Sequence, residues 1–175
     1  MRVLTKGKDR EGKETALAGL YDDCYDRIAR YAFVRLGDRA EAEDIAGEVF
    51  LKALESLDSY EERGIPMQAW LFKIAHNLLV DHIRRAAKRW TVPVETVEVV
   101  AEADPAEQAV NNAEVTRVLK AMDELTESQR RVIELRFFGE LTSDEAGRVL
   151  NKQAGAVREL QHSAIRALRV LLAEA

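Results

Sequence analysis

Trp70, Lys73, Asn77, Asp81, Arg84 and Lys88 fall on one narrow stripe when the chain after Pro66 is wound at about 100° per residue. An indole set among cations is suited to unpaired nucleic-acid bases. Stacking supplies roughly 1–3 kcal/mol per base while the cations follow the phosphate backbone. Asn77 and Asp81 add hydrogen-bonding discrimination. The run Arg84-Arg85-Ala86-Ala87-Lys88-Arg89 continues the stripe into a basic cluster suited to duplex phosphates. An ordinary reading stands beside this one. Trp70 lies near the start of its helix and can fold back on the preceding loop or the second helix as core, and cations at a helix end suit the dipole.

His76, Asp81 and His82 raise metal binding, but His76 and His82 are about 240° apart on a helix, so their rings diverge. His82 reads as a half-buried packing residue. No paired carboxylates, Gly-rich phosphate loop or nucleophile elbow is present. The reading is therefore of a protein that is not an enzyme and has no metal or cofactor.

A second constellation closes the chain. Thr142-Ser143-Asp144-Glu145 is a capping box for a short helix through Ala146, Val149 and Leu150. Asn151 stands where the chain must turn and tolerates the left-handed conformation. A longer helix begins near Gln153, with an apolar seam of Val157, Leu160, Ala164, Leu168 and Leu171. Glu159, His162 and Arg166 lie on its opposite face, flanked by Arg158, Ser163 and Arg169. A half-buried second helix after a short turn is the geometry that enters a major groove.

These faces need a helical scaffold. The chain has 175 residues, 47% of them hydrophobic and 33% charged, with nine Gly and three Pro, which fits helices better than a turn-rich β fold. Three helices form a first block over residues 15–90: about Thr15 to Leu36, ended by Gly37; Asp38, as cap, to about Leu57; and, after a loop from Asp58 to Ile65, Pro66 to about Arg89. On the third, Leu71, Phe72, Ala75, Leu78, Leu79 and Ile83 form the core side. The second helix buries Ile45, Val49, Ala53 and Leu57, widened by Ala46, Phe50 and Leu54. Its outer face carries Glu41, Asp44, Glu48, Lys52 and Glu55, which is either solvated surface or a docking face for a basic partner. Residues 91–105 form a flexible acidic linker, since no Lys or Arg occurs from Thr91 to Thr116. Residues 106–175 form a second block of four helices, one opened by the capping box Thr126-Glu127-Ser128-Gln129. Residues 1–14 read as a disordered N-terminus.

The apolar runs are too short to span a bilayer, and the start is unlike a signal peptide. Cys24 is the single cysteine, so no internal disulfide forms. A small buried hydrophobe is the plain reading of it, in a cytoplasmic protein. The net charge of −5 means that any DNA contact is local and needs a larger partner to supply phosphate binding.

Taken together, three segments in this order resemble the sigma factors of bacterial RNA polymerase, specifically the extracytoplasmic-function (ECF) group. Ala42-Glu43-Asp44-Ile45-Ala46-Gly47-Glu48-Val49-Phe50-Leu51-Lys52-Ala53 resembles the helix that docks on the β′ clamp coiled coil. The stretch from Ala69 to Arg85 is similar to the family's promoter-melting helix, and Leu125 to Phe137 with the helix-turn-helix to the domain that reads the minus-thirty-five element. The resemblance implies an all-α protein of two small helical domains. It would bind core polymerase through the β′ clamp helices and the β flap, direct it to a promoter class, and help melt the minus-ten region. It implies minus-ten contacts from Trp70, Lys73, Asn77, Asp81, Arg84 and Arg85, with the Asp58–Ile65 loop holding a flipped base. Minus-thirty-five contacts would come from Gln153, Arg158, Glu159, His162, Ser163 and Arg166. Clamp contacts would come from Glu41, Asp44, Ile45, Glu48, Val49 and Lys52. It further implies an anti-sigma partner, a linker that threads the polymerase, and no membrane insertion. Asn151 and Ala156 depart from the common Gly and Thr, and Ser163 stands where many relatives carry Arg. A stand-alone helix-turn-helix regulator with a helical sensing domain is the rival reading.

Overall fold

The computed structural model describes residues 3–61, 64–89 and 105–174. No strand occurs among them. Residues 1–2, most of the acidic linker (91–104), and Glu62 and Arg63 of the loop expected to hold a flipped base lie outside the described residues.

The N-terminal half contains α1 (Val3–Gly19), α2 (Tyr21–Leu36), α3 (Arg39–Glu55) and α4 (Met67–Arg89), with a 3-10 turn at Leu57–Ser59. Two expectations need correction. The chain is helical from Val3 rather than disordered to residue 14. Spaced i,i+4 pairs support this helix, Arg10 with Glu14 at 2.9 Å and Lys13 with Asp9 at 3.7 Å. The helix expected from Thr15 to Leu36 is also two helices, because the backbone breaks at Leu20, after a Gly of low helix propensity. The remaining punctuation follows the expected caps. Gly37 ends α2 with a φ of 70° and donates its N–H to the Phe33 carbonyl. The Asp38 carboxylate accepts the Glu41 N–H at 2.9 Å.

α3 lies against α2 and α4 through Ala42, Ile45, Ala46, Val49 and Ala53, and α4 returns Leu71, Phe72, Ala75, Leu78 and Leu79 to the same core. Cys24 is fully buried, and burial pushes its thiol above its ordinary pKa. Leu54 and Ile83, expected in the core, are 44% and 36% exposed, since each lies at the edge of its helix's apolar arc.

The C-terminal half contains α5 (Pro105–Asp123), α6 (Glu127–Ile133), α7 (Ser143–Leu150) and α8 (Ala154–Glu174). Both expected capping boxes close, at Thr126 with Gln129 and at Thr142 with Glu145. The helix expected to run from Glu127 to Phe138 instead widens into a π turn over Glu134–Phe138, closed by Gly139 N–H to the Glu134 carbonyl at 2.9 Å. Asn151 adopts φ 54° and ψ 46°, as the turn demands. Lys152 N–H bonds the Gly147 carbonyl at 2.8 Å, and the turn folds so close to α7 that a Cβ on Gly147 would lie 2.5 Å from the Lys152 oxygen.

The halves share one apolar core. Leu135, Leu141, Ala146, Val149 and Val157 pack in the same cluster as Leu71, Phe72 and Ala75. α7 lies along α4, and the π turn lies along α2. Three arginines of α2 stitch this seam. Arg27 donates to the Gly139 carbonyl from Nε (3.1 Å) and Nη2 (2.6 Å). Arg30 meets Glu140 at 2.6 Å. Arg35 joins Glu134 at 3.1 Å and Glu127 at 2.7 Å. Gly139 permits the approach, because a Cβ there would stand 2.8 Å from Phe72 Cε1.

Candidate nucleic-acid interface

α4 presents the stripe. Lys73, Asn77, Arg84, Arg85 and Lys88 are exposed, and Asp81 is half-buried. Asp81 is committed to its own helix: its carboxylate accepts from Arg84 at 2.7 Å and its carbonyl from Arg85 Nε at 3.2 Å. These bonds orient two cations along the helix end. Trp70 is half-buried. One part packs on the core, with its ring centroid 4.9 Å from that of Tyr60 on the preceding loop, and the rest stays accessible. Tyr60 anchors the loop by donating its hydroxyl to the Ile65 carbonyl at 3.0 Å.

The two histidines diverge as their spacing predicts. His76 Nδ1 lies 2.9 Å from the Tyr31 hydroxyl in the core. Burial, with the Arg131 and Arg35 cations nearby, lowers its pKa to about 4, so it is neutral. His82 Nε2 instead faces Glu41 at 3.3 Å on the surface. Among the described residues, no group of three or more His, Cys, Asp or Glu side chains is placed to hold a metal ion.

The second face is α8. Gln153, Arg158, Glu159, His162, Ser163 and Arg166 are all exposed. Val157 and Ala164 fix the opposite side in the core. The Ser163 hydroxyl accepts from Gln129 Nε2 at 2.8 Å, which ties α8 to the start of α6.

The third face is α3. Glu41, Asp44, Glu48 and Lys52 are exposed, and Glu48 pairs with Lys52 at 3.4 Å. Ile45 and Val49 are not on this face. They are 4% and 0% exposed in the core, because the seam that holds α3 to its neighbours runs through them. Sequence reasoning missed the apolar part of this surface. Leu51 is 56% exposed amid Asp44, Glu48 and Glu55, and Leu54 borders a shallow apolar groove with Leu17, Tyr21 and Phe50. Its position at the margin of the acidic arc, outside the apolar seam, was the available signal for Leu51.

Residues 20–89 match the family described as Sigma-70 region 2, and residues 121–170 match Sigma-70, region 4. The chain is 34% identical over 165 residues to the ECF RNA polymerase sigma factor BldN of Streptomyces coelicolor, covering 92% of this chain and 62% of that protein. It is 31% identical over 170 residues to SigW of Bacillus subtilis, another ECF RNA polymerase sigma factor, covering 91% and 90%. The chain belongs to the ECF sigma factor family. In this sigma factor, α2 to α4 form region 2, and α6 to α8, with the end of α5, form region 4. The fold is that of the sigma factor RpoE of Bartonella quintana, solved in complex with the anti-sigma factor NepR (TM-score 0.67, 21% identity, 91% and 95% of the two chains covered). No described helix of this sigma factor is long and apolar enough to cross a membrane.

Proposed function

We propose that the protein is a transcription initiation factor that carries core RNA polymerase to a restricted promoter class and stabilises the opened minus-ten region. On this reading Trp70, Lys73, Asn77, Asp81, Arg84 and Arg85 meet the unpaired strand, and Gln153, Arg158, Glu159, His162, Ser163 and Arg166 meet the minus-thirty-five duplex. Binding energy from bases held outside the duplex drives the opening, with no bond chemistry by the protein. The observation that carries the proposal is the accessible indole of Trp70, backed by Tyr60 and followed by a line of exposed cations on a region 2 helix.

For the polymerase contact, α3 offers Glu41, Asp44, Glu48 and Lys52, with Leu51 and Leu54 supplying apolar area where Ile45 and Val49 do not. A basic helical partner such as the β′ clamp fits that chemistry, and the β flap would take region 4. The acidic chain, at net charge −5, binds DNA weakly alone and gains phosphate contacts from the polymerase. The cytoplasm is the corresponding setting. An anti-sigma protein is the fitting regulator, as a fold neighbour is held by one.

Reconstituted transcription with core polymerase tests the proposal. Trp70→Ala should slow strand opening about tenfold while leaving the closed complex intact. Arg158→Ala should weaken duplex recognition upstream. Normal opening by Trp70→Ala, or tight sequence-specific binding of duplex by the free protein, would refute it.

A further inference from the structure

α1 lies outside the matched region 2 segment, which begins at residue 20. Two of its polar contacts nevertheless reach the turn that backs Trp70. Lys13 Nζ donates to the Tyr60 carbonyl at 2.8 Å, with its side chain only 22% exposed. One turn earlier on the same face, Arg10 Nη1 meets the Asp58 carboxylate at 3.0 Å. The turn is short, and two further bonds close it on itself. Ser59 Oγ donates to the Ser56 carbonyl at 2.6 Å, and Tyr60 N–H donates to the Leu57 carbonyl at 3.1 Å.

Three of the contacts of Tyr60 bear on its ring. The ammonium of Lys13 holds its carbonyl, its own hydroxyl is tied to Ile65, and its ring lies against Trp70. A shift of the carbonyl moves the ring, and the ring sets the position of the indole. A 3-10 turn of three residues lacks the hydrogen-bond ladder to fix this geometry unaided.

We propose that α1 is a strut for promoter melting, in which Lys13, assisted by Arg10, positions the Tyr60 turn and through it the stacking face of Trp70. Both are positioning residues and neither touches DNA. The inference rests on the reading of α4 as the helix that holds the opened strand.

The test uses holoenzyme assembled from full-length protein, with promoter DNA carrying 2-aminopurine in the non-template minus-ten strand. Lys13→Met keeps the aliphatic stem and removes the ammonium. It should lower the rate and extent of the fluorescence rise about tenfold, the factor of one charge-assisted hydrogen bond. Core affinity, closed-complex affinity and thermal midpoint should stay at wild-type values. Lys13→Arg should restore most of the opening, and Asp58→Asn should reproduce a weaker form of the defect. If Lys13→Met loses core affinity and thermal stability in step with opening, the residue is merely structural and the strut is wrong. If Lys13→Met opens normally while Trp70→Ala fails, the strut is overturned and the α4 reading survives. If Trp70→Ala itself opens normally, the α4 reading and the strut fall together.

Discussion

Arg35→Met should part the two halves of the molecule in a pH-dependent way. Glu134 is fully buried, and Arg35 hydrogen-bonds its Oε2 at 3.1 Å. Arg130 Nε lies 3.3 Å from Oε1 without hydrogen-bond alignment, so both of those atoms stay unsatisfied. Arg35 therefore provides the well-formed contact. Removing one partner of a buried ion pair costs about 3–5 kcal/mol. Because Arg130 remains near, about 3 kcal/mol is the fitting figure. The carboxyl has an escape route, since burial already raises its pKa to about 7, against the opposing pull of Arg35 and Arg130. Without Arg35 the pKa rises further, and the group takes up a proton. The penalty should therefore be small at pH 6, reach about 2 kcal/mol at pH 8.5, a factor of about thirty in the closed-to-open ratio, and approach about 3 kcal/mol only above about pH 9. Energy transfer between dyes on α3 and α8, with scattering radii, reads the separation, and urea titration reads the stability. Glu134→Gln in the same chain should recover most of the loss, because no unpaired charge is left. Unchanged compactness and urea midpoint for Arg35→Met at pH 8.5 would refute the argument.

Three further outcomes follow from particular contacts. Leu51→Asp should weaken binding to core polymerase about tenfold in a competition assay without changing the thermal midpoint, since Leu51 is exposed and packs on nothing in the core. Gly147→Ala should lower stability by about 1–2 kcal/mol in urea titration, because overpacking against the Lys152 carbonyl outweighs the better helix propensity. Glu134→Gln should also expose an acid transition. His76 has a folded pKa of about 4, below its ordinary value of 6.5, so its contribution is present above pH 6.5 and lost as pH falls towards 4. Glu134, raised to about 7, gives the opposite slope over about pH 4.5 to 7. The two offset each other in the wild type. The variant should lose about 3 kcal/mol on acidification across that window, read as thermal midpoints against pH.

The punctuation of the chain was legible because caps and turns are local chemistry. Asp38, Thr126, Thr142 and Asn151 act within four residues of themselves, and each does what its type predicts. The exposed cations of α4 and the outer face of α8 were legible from period alone. The seam was not. Arg27, Arg30 and Arg35 meet partners 92–112 positions away, and on a helical projection they read as solvated surface. Glu134 was hidden for the same reason, as a carboxylate is rarely fully buried and nothing local announces its distant partner Arg35. Ile45 and Val49, expected at the clamp, lie in the core of the free chain, because a resemblance transfers a helix whereas burial decides which side of it is open. The N-terminal helix was missed because its support comes partly from Asp58 and Tyr60, far along the chain.

The stitched seam has a consequence for energetics. A closed body of this length has a radius of gyration of about 16 Å. Promoter elements named for positions ten and thirty-five are ~25 base pairs apart, about 85 Å along the duplex. One molecule folded shut cannot touch both at once. On the function proposed above, the polymerase has to pry α2 from the π turn before the promoter is read, and that work is subtracted from its affinity for the factor. Each ~1.4 kcal/mol held in the arginine stitches weakens apparent binding tenfold. On that reading, the seam tunes how tightly the factor holds the polymerase.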